Sequence, residues 1–256
     1  MMIITPIFLC LCIAVGANAD AKVDESNRYM DKLLEVTFPQ RGGVLGWARV
    51  EGFKLKVTKR SKGGTGKISI GKREVLSKEG RLHYDDHLSK RSSKARHLRE
   101  VKVTVDNGTV SGLHGLSRVG DCSAPSWQLG SVVLSCYASL NGITANYEGT
   151  LKSETSGVRS MERGELSFEA VIENGKAFIE VSGTPGQPPT LASWSVMPFD
   201  VDLKFTGSSF SLDSDLWSML RSQLKKAIKE KFEQFLYGQL RRGIEVAVTV
   251  DPLPMP

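Results

Sequence analysis

Four cysteines in 256 residues are too few for a disulfide-framework fold, and two of them, Cys10 and Cys12, lie in an apolar leader. Beyond that leader only Cys122 and Cys136 remain, too far apart for a CxxC pair, which excludes zinc-ribbon and dithiol redox chemistry. Stability must therefore come from a sizeable apolar core. Long apolar runs are also scarce. Residues 1–19 carry no charge, but the run from Met2 to Gly16 is short for a membrane span, and no other segment approaches eighteen apolar residues. The leader lacks a basic start but closes on Ala17-Asn18-Ala19, a small-residue cleavage pattern before Asp20. This predicts a secretory signal peptide over 1–19, one domain over 20–256, an extracellular location and one Cys122–Cys136 disulfide joining neighbouring strands or a strand to its entering loop.

Catalytic signatures are missing too. There are four histidines, His83, His87, His97 and His114. The His83–His87 pair has helical metal-ligand spacing, but Tyr84 stands where a metalloprotease needs glutamate and no third ligand is indicated, so the pair reads as a solvated polar loop. Gly63-Gly64-Thr65-Gly66-Lys67 has Ser61 where a phosphate loop needs its first glycine and Ile68 where it needs a hydroxyl residue. No nucleophile elbow occurs. The expectation is a non-enzyme without metal or cofactor.

Charge is present and unevenly placed. Between Lys54 and Lys102 stand sixteen Lys/Arg against five Asp/Glu, a local excess of eleven positive charges in a chain whose total is +6. Such a block is ordinarily a solvated loop or sheet face. The sharper alternative is a surface that meets anionic membrane lipid or sulfated glycan through Lys54, Lys56, Lys59, Arg60, Lys62 and Lys67. Nucleic acid is disfavoured, because the chain reads as secreted and only Phe53 and Tyr84 interrupt the block as aromatics.

The pattern of elements is informative. Val23, Met30, Leu33, Leu34 and Val36 recur at helical spacing and predict a short N-terminal helix that Pro39-Gln40-Arg41-Gly42-Gly43 ends. Phe53, Leu55 and Val57 alternate with Lys54, Lys56 and Thr58, a strand with one apolar and one basic face. Three Asn-Gly pairs, Asn107-Gly108, Asn141-Gly142 and Asn174-Gly175, lie between alternating runs and predict hairpins in an antiparallel meander of at least six strands. Asn107-Gly108-Thr109 is also a glycosylation acceptor, which places Asn107 at an exposed hairpin tip.

From Asp213 the pattern changes. Leu216, Leu220, Leu224, Ile228, Phe232, Leu236 and Leu240 recur every four residues, with Phe235 beside them, and charged residues such as Arg221, Lys225 and Lys229 oppose them. This predicts a long amphipathic helix over 213–242, about 45 Å long at 1.5 Å per residue. A stripe of that length needs a cover, and the apolar face of the meander is the most economical one. The tail Ile244–Val250 alternates like a strand but also continues the helix, and the prolines then stop it.

The segment Val110–Asp121, VSGLHGLSRVGD, and the stretch Leu191–Leu240, in which a strand leads through LKFTG to the long helix, resemble the group 7 mite allergens and their arthropod relatives. Those belong to a tubular lipid-binding superfamily with the bactericidal/permeability-increasing, juvenile-hormone-binding and takeout-like proteins. The likeness covers element order from about Tyr29 to Leu240. It implies an α+β super-roll: a long curved antiparallel sheet wrapped around the C-terminal helix, with a short N-terminal helix. It further implies a groove for a lipid or other hydrophobic molecule lined by Leu216, Leu220, Leu224, Ile228, Phe232, Phe235 and Leu236. Without the resemblance, the same side chains read equally as a dry core. The cysteine pair and the basic insertion Lys59–Arg99 depart from the allergen pattern, so neither takes a function from it. A feeding-secretion or innate-immune protein acting through the basic segment is the alternative.

Overall fold

The computed structural model describes residues 20–41, 48–60, 98–155, 161–208 and 212–256. The leader, Lys62, Lys67, the His83–His87 pair, His97 and the glycine-rich 63–67 segment lie outside them.

The chain begins with helix α1 over 20–32, a π turn at Leu33–Thr37, and helix α2 at Phe38–Arg41. Helical backbone runs through Pro39 to Arg41, within the Pro39–Gly43 segment expected to end it. The π turn closes with the Phe38 N–H donating to the Leu33 carbonyl, so Pro39 falls in the first turn of a new helical stretch, where its missing N–H costs nothing.

Among the described residues twelve strands follow: β1 Arg49–Val50, β2 Phe53–Arg60, β3 Leu98–Val105, β4 Gly108–Ser111, β5 Ser117–Val119, β6 Ser126–Gln128, β7 Ser131–Ser139, β8 Thr144–Thr155, β9 Met161–Glu173, β10 Lys176–Gly183, β11 Thr190–Val196 and β12 Asp200–Ser208. All their pairings are antiparallel, and they form two sheets. The first contains β1, β2, β3, β4, β8, β9 and β12; the second contains β5, β6, β7, β10 and β11. The sheets are halves of one bent surface. Chain segments β4–β5, β7–β8, β9–β10 and β11–β12 each cross from one half to the other, and hydrogen bonds continue through the bend. The Leu140 N–H donates to the Gly175 carbonyl at 2.9 Å, and the Ile172 N–H donates to the Ile143 carbonyl at 2.9 Å.

The expected Asn-Gly hairpins are corrected by this geometry. Asn141-Gly142 and Asn174-Gly175 sit at the bend, where strands change sheet instead of reversing. The positive φ these residues tolerate is used there, at Gly142 (80°) and Asn174 (55°), and the Asn141 side-chain Oδ1 accepts from the Gly175 N–H at 2.8 Å. Asn107-Gly108 is a bulge. β3 and β4 both pair with β8, three residues (106–108) on one side facing two (147–148) on the other. Asn107 is exposed but lies beside β1–β2, its side-chain oxygen accepting from the Gly52 N–H at 2.8 Å, and not at a hairpin tip.

The C-terminal helix is longer than 213–242. Helix α3 at Ser214–Phe235, a π turn at Leu236–Leu240 and helix α4 at Arg241–Val248 run continuously, about 50 Å at 1.5 Å per residue. Strand-like alternation in the tail yields to packing, because Leu240, Ile244 and Val248 extend the four-residue stripe and are all buried. A spacing of four drifts about 40° per step around a helix of 3.6 residues per turn, and the wider π turn slows that drift.

The bend is tight where β4 enters β5. Gly112 there has φ 83°, and a Cβ on it would stand 2.3 Å from the Gly142 carbonyl oxygen. Gly112→Ala is expected to cost about 3 kcal/mol in urea unfolding, from a left-handed backbone plus an immovable contact. Gly142→Ala, whose Cβ would meet open space at φ 80°, should cost only about 1 kcal/mol.

Candidate functional site

The helix meets the first sheet through two apolar surfaces. From the helix come Leu216, Leu220, Leu224, Ile228, Phe232, Phe235 and Leu236, all buried in one core cluster. From the sheet comes an aromatic row that the sequence reading did not assemble. Phe53 stands edge-on to Tyr147 (centroids 6.1 Å), Tyr147 stacks on Phe168 (5.2 Å), Phe168 leans on Phe205 (5.7 Å), and Phe205 meets Trp217 of α3 (4.7 Å). The row runs across β2, β8, β9 and β12 onto the helix. Its members sit at alternating strand positions and so face one way, but alternation alone does not reveal the register that aligns them.

One polar atom in the row is left over. The Tyr147 hydroxyl is buried with no hydrogen-bond partner among the described residues, and burial pushes it well above the ordinary tyrosine range. A buried hydroxyl without a partner costs about 1–3 kcal/mol, so it marks a place where an acceptor or donor would be stabilising. Trp194 Nε1, Tyr29 Oη and Ser26 Oγ are likewise buried without partners.

Polar contacts hold the helix to the sheet along its length. Asp213 caps α3 by accepting from the Leu216 N–H at 2.9 Å and also receives Lys59 Nζ at 3.0 Å. Arg221 Nη2 donates to the Leu203 carbonyl, Lys231 pairs with Glu51, and Gln239 donates to the Arg49 carbonyl. The Tyr237 hydroxyl accepts from the Val196 N–H at 3.1 Å. Lys229 lies over the Phe199 ring, 5.2 Å from its centroid.

The described part of the basic block is laced with carboxylates. Lys56 and Lys102 flank Glu100 at 2.9 and 3.2 Å, and Lys102 also reaches Glu154. Burial opposes the charged form of Glu100, but the two ammonium groups outweigh it and hold its carboxyl below the usual range. Lys59 bridges Asp215 and Asp213, which raises its ammonium. Arg99 approaches Asp213 and Glu162. Lys54 is exposed on β2, and Arg60 is the last residue of that strand. The structure therefore gathers Lys54, Lys56 and Lys59 on one strand, with acidic neighbours interleaved.

Cys122 and Cys136 form the disulfide, Cα–Cα 4.4 Å, joining the segment before β6 to β7. The same place anchors α1: Asn27 accepts from the Cys122 N–H and donates to Asp121, and Arg118 makes a two-pronged pair with Asp31 at 2.9 and 3.1 Å. The RVGD segment is thus a clamp on the N-terminal helix.

No protein-family model matches the sequence, and no curated protein matches it. Among solved structures the chain is similar to Takeout 1 of Epiphyas postvittana, at 14% identity over 59% of this chain and 74% of that one, with a TM-score of 0.32. It is also similar to lipopolysaccharide binding protein, at 13% identity over 87% of this chain, with a TM-score of 0.34. The match spans 40% of the length of lipopolysaccharide binding protein. At these scores neither likeness bears on what this chain binds.

The Asp213 cap has a testable pH dependence. Its carboxyl is held below the usual range, first by the Leu216 N–H and then by Lys59. A depressed carboxylate contributes stability that is present above the unfolded pKa and lost as pH falls through the folded one. Asp213→Ala is therefore expected to cost about 1 kcal/mol near neutral pH, with the difference in melting temperature from wild type closing as pH is lowered below the ordinary aspartate range.

Proposed function

We propose that the chain from Asp20 onward is a single-domain, secreted lipid-binding protein of the group 7 allergen-like kind, taking its ligand between α3 and the first sheet. The supporting observation is the buried aromatic row beside the helix stripe, with one hydroxyl, that of Tyr147, unpartnered inside it among the described residues. The flanking Phe53, Phe205 and Trp217 are only partly buried and pack against the core, so the row reaches from interior toward solvent near the start of α3. An apolar chain slides along Leu216, Leu220, Leu224 and Ile228, its polar end meets Tyr147, and Phe232, Phe235 and Leu236 close the inner end.

The energetics suit this role. Burying a methylene contributes about 0.8 kcal/mol, so ten methylenes gross roughly 8 kcal/mol before ordering costs. That is the scale of a micromolar complex without any charged contact. A disulfide suits an oxidising compartment. The alternative reading, recognition of anionic lipid or glycan through Lys54, Lys56, Lys59, Arg60, Lys62 and Lys67, is less favoured, because carboxylates already neutralise Lys56 and Lys59.

Displacement of a fluorescent fatty acid tests the proposal. Wild type is expected to take up the probe with micromolar affinity. Tyr147→Phe should raise the stability of the empty protein by about 1 kcal/mol by removing an unpaired hydroxyl, while weakening fatty acid binding about five- to tenfold and leaving alkane binding unchanged. Absence of probe uptake by wild type contradicts the proposal.

A further inference from the structure

At the far end of the second sheet from the bend, β6 and β7 form the tight hairpin that the sequence reading did not find. Its turn is Leu129-Gly130, with φ 48° and 84°, both left-handed, between the paired residues Gln128 and Ser131. This is the type I′ geometry that asparagine or glycine ordinarily supplies. A leucine there bears a backbone conformation unfavourable to its side chain. It is also fully exposed, at 108% of the reference area, and Trp127 two residues before it is 53% exposed. Neither packing nor turn chemistry explains a leucine at this position, and unexplained strain in an exposed tip is a mark of function.

The surroundings indicate what meets it. Residues 122–147, which contain β6, the turn and β7, include no charged residue, and neither do residues 181–199, which contain the adjoining β10–β11 loop. That loop, Thr184–Pro189, lies beside the hairpin, with Ser131 and Thr184 hydroxyls 3.4 Å apart. The two exposed side chains offer on the order of 300 Å², well below the about 800 Å² per partner of a standard protein interface. A protein partner would need a larger surface, whereas a bilayer accepts individual side chains. Tryptophan suits the headgroup level and leucine the acyl boundary. No described helix is long and apolar enough to cross a membrane.

We propose that the β6–β7 hairpin tip is a membrane-docking element, which seats Trp127 and Leu129 in the interfacial zone of a phospholipid bilayer without requiring anionic lipid. This does not depend on the ligand site beside α3.

Flotation of the protein with pure phosphatidylcholine vesicles, at low and high salt, tests it. Wild type is expected to float with the vesicles equally at both salt concentrations, since no charge is involved. Leu129→Asn keeps the turn, asparagine being its preferred residue, and should lower partitioning at least tenfold, as should Trp127→Ala. The Trp127→Phe variant should lose the blue shift of tryptophan emission that vesicles induce in wild type. The proposal is overturned if wild type does not float, if it floats only with anionic vesicles in a salt-sensitive way, or if Leu129→Asn floats like wild type. A change of oligomeric state in Leu129→Asn with unchanged flotation would assign the tip to a protein contact and equally overturn it.

Discussion

An apolar stripe that recurs every four residues for some 50 Å must be covered, and the rest of the architecture follows from covering it. Leu216 through Val248 are buried along one line, and no single flat sheet of ordinary strand length reaches that far. The described residues meet this demand by folding twelve strands into two sheet halves that share four continuous chain crossings. The helix then lies in a trough whose floor changes direction once. Its start is fixed over the first half by Asp213 and Lys59, and its π turn is fixed to the second half by Tyr237 and Val196.

The bend is therefore the structural centre, and its chemistry is local. Asparagine and glycine at 141–142 and 174–175 provide backbone that turns a strand without ending its ladder. Gly112 permits the third chain to pass close by. The N-terminal helix and the C-terminal tail are joined on the outside: Asp251 receives Lys32 and the Thr37 hydroxyl, and its carboxyl is correspondingly lowered. The disulfide loop clamps the same helix from the sheet side.

Much of this was legible in the chain and some was not, for physical reasons. The long helix was plain because its stripe exceeds anything chance or a strand produces, and all seven expected groove residues lie on one buried face. Its last five residues, Ile244–Val248, were ambiguous, since Val246 and Val248 suit strand as well as helix and only tertiary contact decides between them. The Asn-Gly pairs correctly marked positive φ but not its use, because a corner between sheets and a hairpin make the same local demand. The true hairpin at Leu129-Gly130 was hidden because leucine is the wrong residue for its turn. The helix stripe was visible and the aromatic row was not, since Phe53, Tyr147, Phe168 and Phe205 come together only once strand register is known.

Two ends with opposite chemistry result: charged residues in ion pairs where the helix begins, and an uncharged tip exposing Trp127 and Leu129 at the other. Between them lie the helix stripe and the aromatic row on which the proposed function depends. Isotope-filtered NMR of methyl-labelled protein saturated with a fatty acid tests that proposal directly. Cross-peaks from the acyl chain to the methyl groups of Leu216, Leu220, Leu224 and Ile228 are the predicted result. A bound fatty acid that shows cross-peaks only to exposed positions such as Val246 and Val250, and none to the stripe, would contradict it.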